Sequence, residues 1–273
     1  MNYLFLTDDP EVAGFVEVCG VQRVFIDLEW LGKVERQGGM NTVISRHDRS
    51  NIAPVKAALS EARLLVRTNP LHADSKSEVD FCVDAGADLL MLPMFRSANE
   101  LKRFCDMVDG RVPILPLVET AGALRDVAKI VQLPGVVELH FGLNDLKIDM
   151  GMSFLFEVVA KDVLDSAAAI CRTAGMPFGV GGISRVEGGL IPGRAVLGEY
   201  LRLGASGTIL SRCFHQSAEN LADLQSKVDL KLEIENMNIA YQELSRRSAS
   251  AIERDQVSFQ QRIGEIVSAR KAA

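Results

Sequence analysis

The feature that most constrains this chain is the regular return of short apolar runs separated by stretches with helical spacing. Eight such runs stand along it, at residues 3–6, 24–29, 64–70, 89–94, 114–119, 136–142, 178–182 and 207–212. Bounded by turn residues and mainly apolar, they read as strands buried on both faces, as parallel sheets require. The first intervening helix begins at Asp8-Asp9-Pro10, a capping acid followed by a proline, and carries Val12, Phe15, Val16 and Cys19 to a stop at Gly20. Further helices are predicted over 52–62, 77–85, 98–108, 124–131, 154–174 and 194–203. Eight strands alternating with helices predict an α/β chain of the (β/α)8 TIM barrel class over residues 1–216, with functional groups at the C-terminal strand ends. The segment from Gly32 to Arg49 is long, polar and glycine-containing, and reads as a functional loop. Residues 217–273 lack proline and contain one glycine, Gly264. They predict a C-terminal helical extension that packs on the barrel or on a neighbouring subunit, and a homo-oligomer (trimer or hexamer) is expected.

Composition narrows the partners. A chain of 273 residues that is 48% hydrophobic can bury a large core, and its formal charge of −6, without long Lys or Arg blocks, points away from nucleic acid and anionic membranes. A small molecule is the expected partner. No run has the length of a membrane span, and the start Asn2-Tyr3-Leu4-Phe5-Leu6-Thr7-Asp8-Asp9 lacks the pattern of a signal peptide, so a cytoplasmic location is expected. The five cysteines are scattered and odd in number, which suits reduced thiols.

If the barrel forms, Asp27, Glu29, Arg67, Asn69, Glu119 and Asp145 share one rim. Glu119 and Asp145 each follow an apolar run and make a pair of hard oxygen ligands suited to Mg²⁺ or Mn²⁺, the alternative being helix caps or ion-pair partners. The loops after strands seven and eight, with Gly181, Gly182, Arg185 and Arg212, predict either a site for a phosphate or second carboxylate of the substrate or glycines that only permit close packing.

In order, Asp27-Leu28-Glu29, Arg67-Thr68-Asn69-Pro70, Met91-Leu92-Pro93-Met94, Val118-Glu119-Thr120-Ala121 and Gly142-Leu143-Asn144-Asp145-Leu146, followed by Met150-Gly151, resemble the HpcH/HpaI aldolase and citrate lyase β-subunit family of the phosphoenolpyruvate/pyruvate barrels. The resemblance covers about residues 20 to 215. It implies a divalent-metal-dependent carbon–carbon lyase of the class II aldolase type, cleaving or forming a 2-oxo acid through a metal-bound pyruvate or oxaloacetate enolate. It also implies that Glu119 and Asp145 hold Mg²⁺, Mn²⁺ or another divalent ion, and that Arg67 grips the substrate with Asn69 beside it. Asp27 and Glu29 would then support the metal's waters or Arg67. Other readings are a citrate-lyase-like or condensing enzyme with an acyl or thioester partner, and a catalytically idle barrel for ligand sensing or assembly. One departure from the aldolases of this family is Trp30, which stands where they carry a histidine proposed as a base. His47 is the candidate replacement and His72 a comparable one, whereas His140, inside strand six, reads as structural.

Overall fold

In the computed structural model, which describes residues 1–33 and 47–272, eight parallel strands run around a barrel in sequence order. They are β1 (Asn2–Leu6), β2 (Arg23–Asp27), β3 (Arg63–Arg67), β4 (Leu89–Met91), β5 (Leu117–Val118), β6 (Leu139–Phe141), β7 (Phe178–Ile183) and β8 (Gly207–Leu210). β8 pairs back onto β1. The β4–β5 seam closes through Leu90 N–H to the Pro113 carbonyl at 3.1 Å, Leu115 N–H to Leu90 at 2.9 Å and Leu117 N–H to Leu92 at 3.0 Å. β5 is shorter than the predicted 114–119 because Pro113 and Pro116 have no N–H to give to a ladder.

The surrounding helices are α1 (Pro10–Val18), α2 (Ile52–Ala58), α3 (Ser75–Asp84), α4 (Ala98–Val108), α5 (Ala121–Arg125), α6 (Val127–Ile130), α7 (Leu143–Asp149), α8 (Glu157–Ala160), α9 (Asp165–Thr173), α10 (Gly193–Leu203), α11 (Leu221–Lys227), α12 (Leu230–Ser245) and α13 (Ala249–Ala272). α1 starts where the cap pattern places it, with Asp9 accepting from the N–H groups of Glu11 at 2.8 Å and Val12 at 3.1 Å. The predicted 154–174 helix is instead α8 and α9, parted by Asp162, which has φ 56°. α7 was not expected. It begins directly after Gly142 and carries Asp145 in its first turn. α12 and α13 return to the barrel's own α10: Arg247 donates to the Gly198 carbonyl at 2.8 Å, and Phe259 and Ile263 are buried. No helix among the described residues is long and apolar enough to cross a membrane, and all five cysteines are free.

Strand periodicity sets what faces the lumen. Val24, Ile26, Leu64 and Val66 pack outward against the helices, so Phe25 and Leu65 point inward, joined there by Leu4, Leu89, Met91, Leu115 and Leu117. Two residues further along three of these strands, on the same inward face, come Asp27, Arg67 and Glu119. Two residues back on β2 comes Arg23, whose guanidinium meets Glu138 at 2.6 Å beneath the apolar layer. The barrel is therefore plugged by an ion pair below and hydrocarbon in the middle, with a charged layer above.

His140, from β6, fills the remaining lumen. It is fully buried, its Nε2 lies 3.1 Å from the Gly181 carbonyl, and its Nδ1 has no partner. A Cβ on Gly179 would lie 2.4 Å from that Nδ1, so only glycine leaves room for the ring. Burial pushes the His140 pKa down from 6.5 to about 4, against the pull of the Gly181 carbonyl. The unfolded chain therefore binds a proton between pH 6.5 and 4 that the folded chain refuses, and stability falls as pH drops through that window. The shift corresponds to about 3 kcal/mol. Urea denaturation of the wild type and His140→Gln at pH 7 and pH 4 should show a loss of about this size that is absent in the variant. Identical losses in both would contradict it.

Candidate active site

Asp27 is where the site is built. Its carboxylate is buried and accepts four hydrogen bonds: Oδ1 from Arg67 Nε at 2.8 Å and the Glu29 N–H at 3.1 Å, Oδ2 from Arg67 Nη2 at 2.7 Å and Lys33 Nζ at 2.9 Å. β2 and β3 pair with Asp27 directly beside Arg67, so strand register delivers the two-point contact. Burial alone would raise the Asp27 pKa, but Arg67 and then Lys33 outweigh it and hold the carboxyl well below the usual range. Glu29 closes the cluster, 3.4 Å from Arg67 Nη2 and 3.5 Å from Lys33 Nζ. Arg67 also lies over the Phe25 ring, 5.3 Å from its centroid.

Lys33 was missed by sequence reasoning. It is 4% exposed, and its spacing of four residues from Glu29 was the available signal. Residues 34–46, most of the predicted functional loop, lie outside the described residues.

Glu119 projects from the end of β5, and its Oε1 accepts the Met94 N–H at 3.0 Å. Met94 presents that amide from a left-handed conformation, φ 56°. A Cβ on Gly142 would lie 2.8 Å from Glu119 Cβ and 2.9 Å from Oε2, so the glycine between β6 and α7 is what admits this carboxylate. Burial, then Asp145 and Glu29, push the Glu119 pKa well up, against Arg67 and the Met94 amide. Glu119 and Asp145 thus repel each other at the wall of one cavity. Oxygen donors that repel each other fit a hard divalent ion, which takes one or two protein carboxylates and fills its shell with substrate and water. Among the described residues no three His, Cys, Asp or Glu side chains gather to cage a metal alone. The fit is to a shared site.

These groups line one cavity of about 1040 Å³ together with Asp8, His47, Gly181, Gly182, Arg212 and His215. Sequence reasoning singled out neither Asp8 nor His215 as a site residue. His47 is brought in, yet not as the expected base: its Nδ1 accepts the Asp27 N–H at 2.9 Å, which leaves Nε2–H, a donor, towards the cavity. Burial keeps its pKa low despite Asp8 and Asp27. His72 is not brought in; it lies 3.1 Å from Glu78 in a second cavity beside Trp30 and Asn69.

Two expected substrate contacts, Asn69 and Arg185, need correction. Asn69 spends its Oδ1 on the N–H groups of Trp30 and Leu31, both at 3.0 Å, and its Nδ2 on Glu78 at 2.8 Å, so it brackets two loops instead of facing the cavity. Arg185 turns out to Glu233 on α12, 3.2 Å away. Gly181 and Gly182 line the cavity, and their carbonyls accept from His140 and from the Tyr200 hydroxyl at 3.0 Å. A Cβ on Gly181 would lie 2.7 Å from both Leu143 and Tyr200. Gly181 is thus closely packed.

The model of the HpcH/HpaI aldolase/citrate lyase family matches residues 7–190, and the chain belongs to that family of aldolases and lyases. Over 71 residues it is 34% identical to the 4-hydroxy-4-methyl-2-oxoglutarate aldolase cghB of Chaetomium globosum, a match that covers 26% of each protein; the chain spans about a quarter of that curated relative. Among solved structures, a citrate lyase β subunit from M. tuberculosis complexed with oxaloacetate and magnesium superposes with a TM-score of 0.60 at 18% identity, covering 88% of this chain and 96% of its own. An HpcH/HpaI aldolase/citrate lyase family protein from Burkholderia cenocepacia gives a TM-score of 0.58 at 17% identity, covering 89% and 94%. These structures share the barrel.

The Asp27 cluster makes a stability prediction. Asp27→Asn removes the charge that Arg67 and Lys33 share in the interior, and breaking a buried pair from one side costs about 3–5 kcal/mol. Urea denaturation measures it. A loss below about 1 kcal/mol, the range of exposed pairs, would mean that the cluster is solvated.

Proposed function

We propose that this protein is a divalent-metal-dependent carbon–carbon lyase that cleaves or forms a 2-oxo acid, with Mg²⁺ or another divalent ion held by Glu119 and Asp145. The observation that carries this reading is the convergence, in one cavity, of a fixed guanidinium on β3 with two mutually repelling carboxylates from β5 and α7. A bound divalent ion would supply positive charge where negative charge develops on the keto oxygen of the substrate.

The chain's own residues do the rest. Asp27 occupies Nε and Nη2 of Arg67, which fixes the guanidinium plane and leaves Nη1 without a partner among the described residues. That edge is the donor for a substrate carboxylate, and it is set before substrate arrives, so little reorganisation is needed as charge builds. Lys33 pairs with Asp27 at 2.9 Å and with Glu29 at 3.5 Å and so holds both carboxylates in place. The Leu65, Met91 and Leu117 layer beneath closes the lumen to water, which strengthens every charge interaction above it. The oxaloacetate and magnesium held by the M. tuberculosis neighbour accord with this ligand chemistry.

The test is pyruvate release from a panel of 4-hydroxy-2-oxo acids with and without EDTA. Turnover that EDTA abolishes and added Mg²⁺ or Mn²⁺ restores is expected. Asp145→Asn, which keeps the shape and removes the charge, should lose divalent-ion binding in a calorimetric titration while its urea midpoint stays within about 1 kcal/mol of wild type. Undiminished metal affinity in the variant, or turnover indifferent to EDTA, would overturn the assignment.

A further inference from the structure

Three side chains inside the barrel each keep one polar atom without a hydrogen-bond partner among the described residues: Arg23 Nη1, Glu138 Oε1 and His140 Nδ1. Their residues are 8%, 4% and 0% exposed, so bulk solvent serves none of the three atoms. Buried polar groups left in this condition are costly, and native interiors supply them with a partner.

The three atoms belong to one cluster. Glu138 and His140 stand two residues apart and share the inward face of the β6 run, and Arg23 reaches across from β2 to place Nη2 2.6 Å from Glu138 Oε2. That contact uses one nitrogen of the guanidinium and one oxygen of the carboxylate, leaving Nη1 and Oε1. Both charges act on the His140 ring, Glu138 favouring its protonation and Arg23 opposing it. Room comes from Gly179 and Gly207, which pair with each other on β7 and β8. A Cβ on Gly179 would strike His140 Nδ1, and one on Gly207 would lie 3.5 Å from Glu138 Oε1, so at these two positions neither strand sends a side chain into the lumen.

The unmet groups are of definite kinds. The Gly181 carbonyl can only accept, so His140 Nε2, 3.1 Å away, carries the ring's proton and Nδ1 is an acceptor. Glu138 Oε1 is a second acceptor, and Arg23 Nη1 is a donor. Their complement donates twice and accepts once. A metal cation or an ammonium ion cannot accept from a guanidinium, and a halide cannot donate to a carboxylate or an imidazole. Water does both, and about three hydrogen bonds is the usual number for a water buried in a protein.

We propose that Arg23 Nη1, Glu138 Oε1 and His140 Nδ1 hold one internal water molecule, which donates to Glu138 and His140 and accepts from Arg23. The site stands whether or not the protein is a lyase, yet it bears on the main cavity, because His140 lines that cavity. A donor at Nδ1 secures the neutral Nε2–H tautomer, so the ion pair at the bottom of the barrel positions a ring in the wall of the cavity.

A crystal structure of the wild-type protein at a resolution that shows ordered water tests the site directly. One peak within hydrogen-bond distance of all three atoms is expected; three atoms paired directly with protein groups, and no peak among them, would overturn it. Nitrogen NMR of labelled imidazoles gives a second readout in solution, the His140 signals being identified by their loss in His140→Gln. At pH 7 Nε2 should be protonated and Nδ1 should resonate upfield of a free imidazole nitrogen, the direction in which accepting a hydrogen bond moves it. Nδ1 at the free position would overturn the proposal. Arg23→Met combined with Glu138→Leu removes both charges together and leaves no unpaired ion. An apolar pocket stays dry, so in this double variant the Nδ1 signal should move to the free position. A signal unchanged from wild type would mean that the ion pair does not hold the donor to His140, which also overturns the proposal.

Discussion

Everything above the apolar layer of this barrel depends on the buried Asp27 carboxylate and its four donors. An ionised carboxylate in the interior is costly unless its acceptor capacity is filled, and here Arg67, Lys33 and the Glu29 amide fill it. The same contacts fix the Arg67 plane from β3, anchor Lys33 after β2 and hold Glu29 against both cations. The Asp27 backbone N–H even sets the tautomer of His47. One residue thus determines the orientation of the cation that would meet substrate and the tautomer of the imidazole beside it.

This arrangement divides the cavity into parts with different electrostatic duties. Arg67 is paired so completely on one side that its remaining edge is rigid, whereas Glu119 is left under strain by Asp145 and Glu29. A group destabilised in its charged form beside another carboxylate is what a site looks like when a bound cation belongs to its working state.

The barrel was legible in the sequence because strand periodicity is local. The runs at 24–29 and 64–70 alone put Asp27 and Arg67 on one face, and the run at 114–119 put Glu119 there despite the two prolines that shorten β5. Asp145 was legible as a rim residue but not as part of a helix, since nothing in Leu143–Asp149 signals a helix beginning straight after a strand. What the sequence hid was decided by contacts between distant segments. Asn69 looked like a partner of Arg67 by adjacency, and two residues along it would share that face if β3 continued, but the strand ends at Arg67 and Asn69 turns to Trp30 and Glu78. Arg185 found Glu233, almost fifty residues on. His47 appeared as a free base because no spacing rule shows that an amide twenty residues earlier takes its lone pair.

The central claim is that this cavity stabilises the enolate of a 2-oxo acid, and its most direct measurement needs no knowledge of the full substrate. Pyruvate incubated with the protein and Mg²⁺ in D2O should exchange its methyl protons for deuterium, followed by proton NMR. Exchange well above the rate in buffer, abolished by EDTA and by Arg67→Met, is the expected result. Pyruvate that binds in the presence of Mg²⁺ and shows no accelerated exchange would contradict the account.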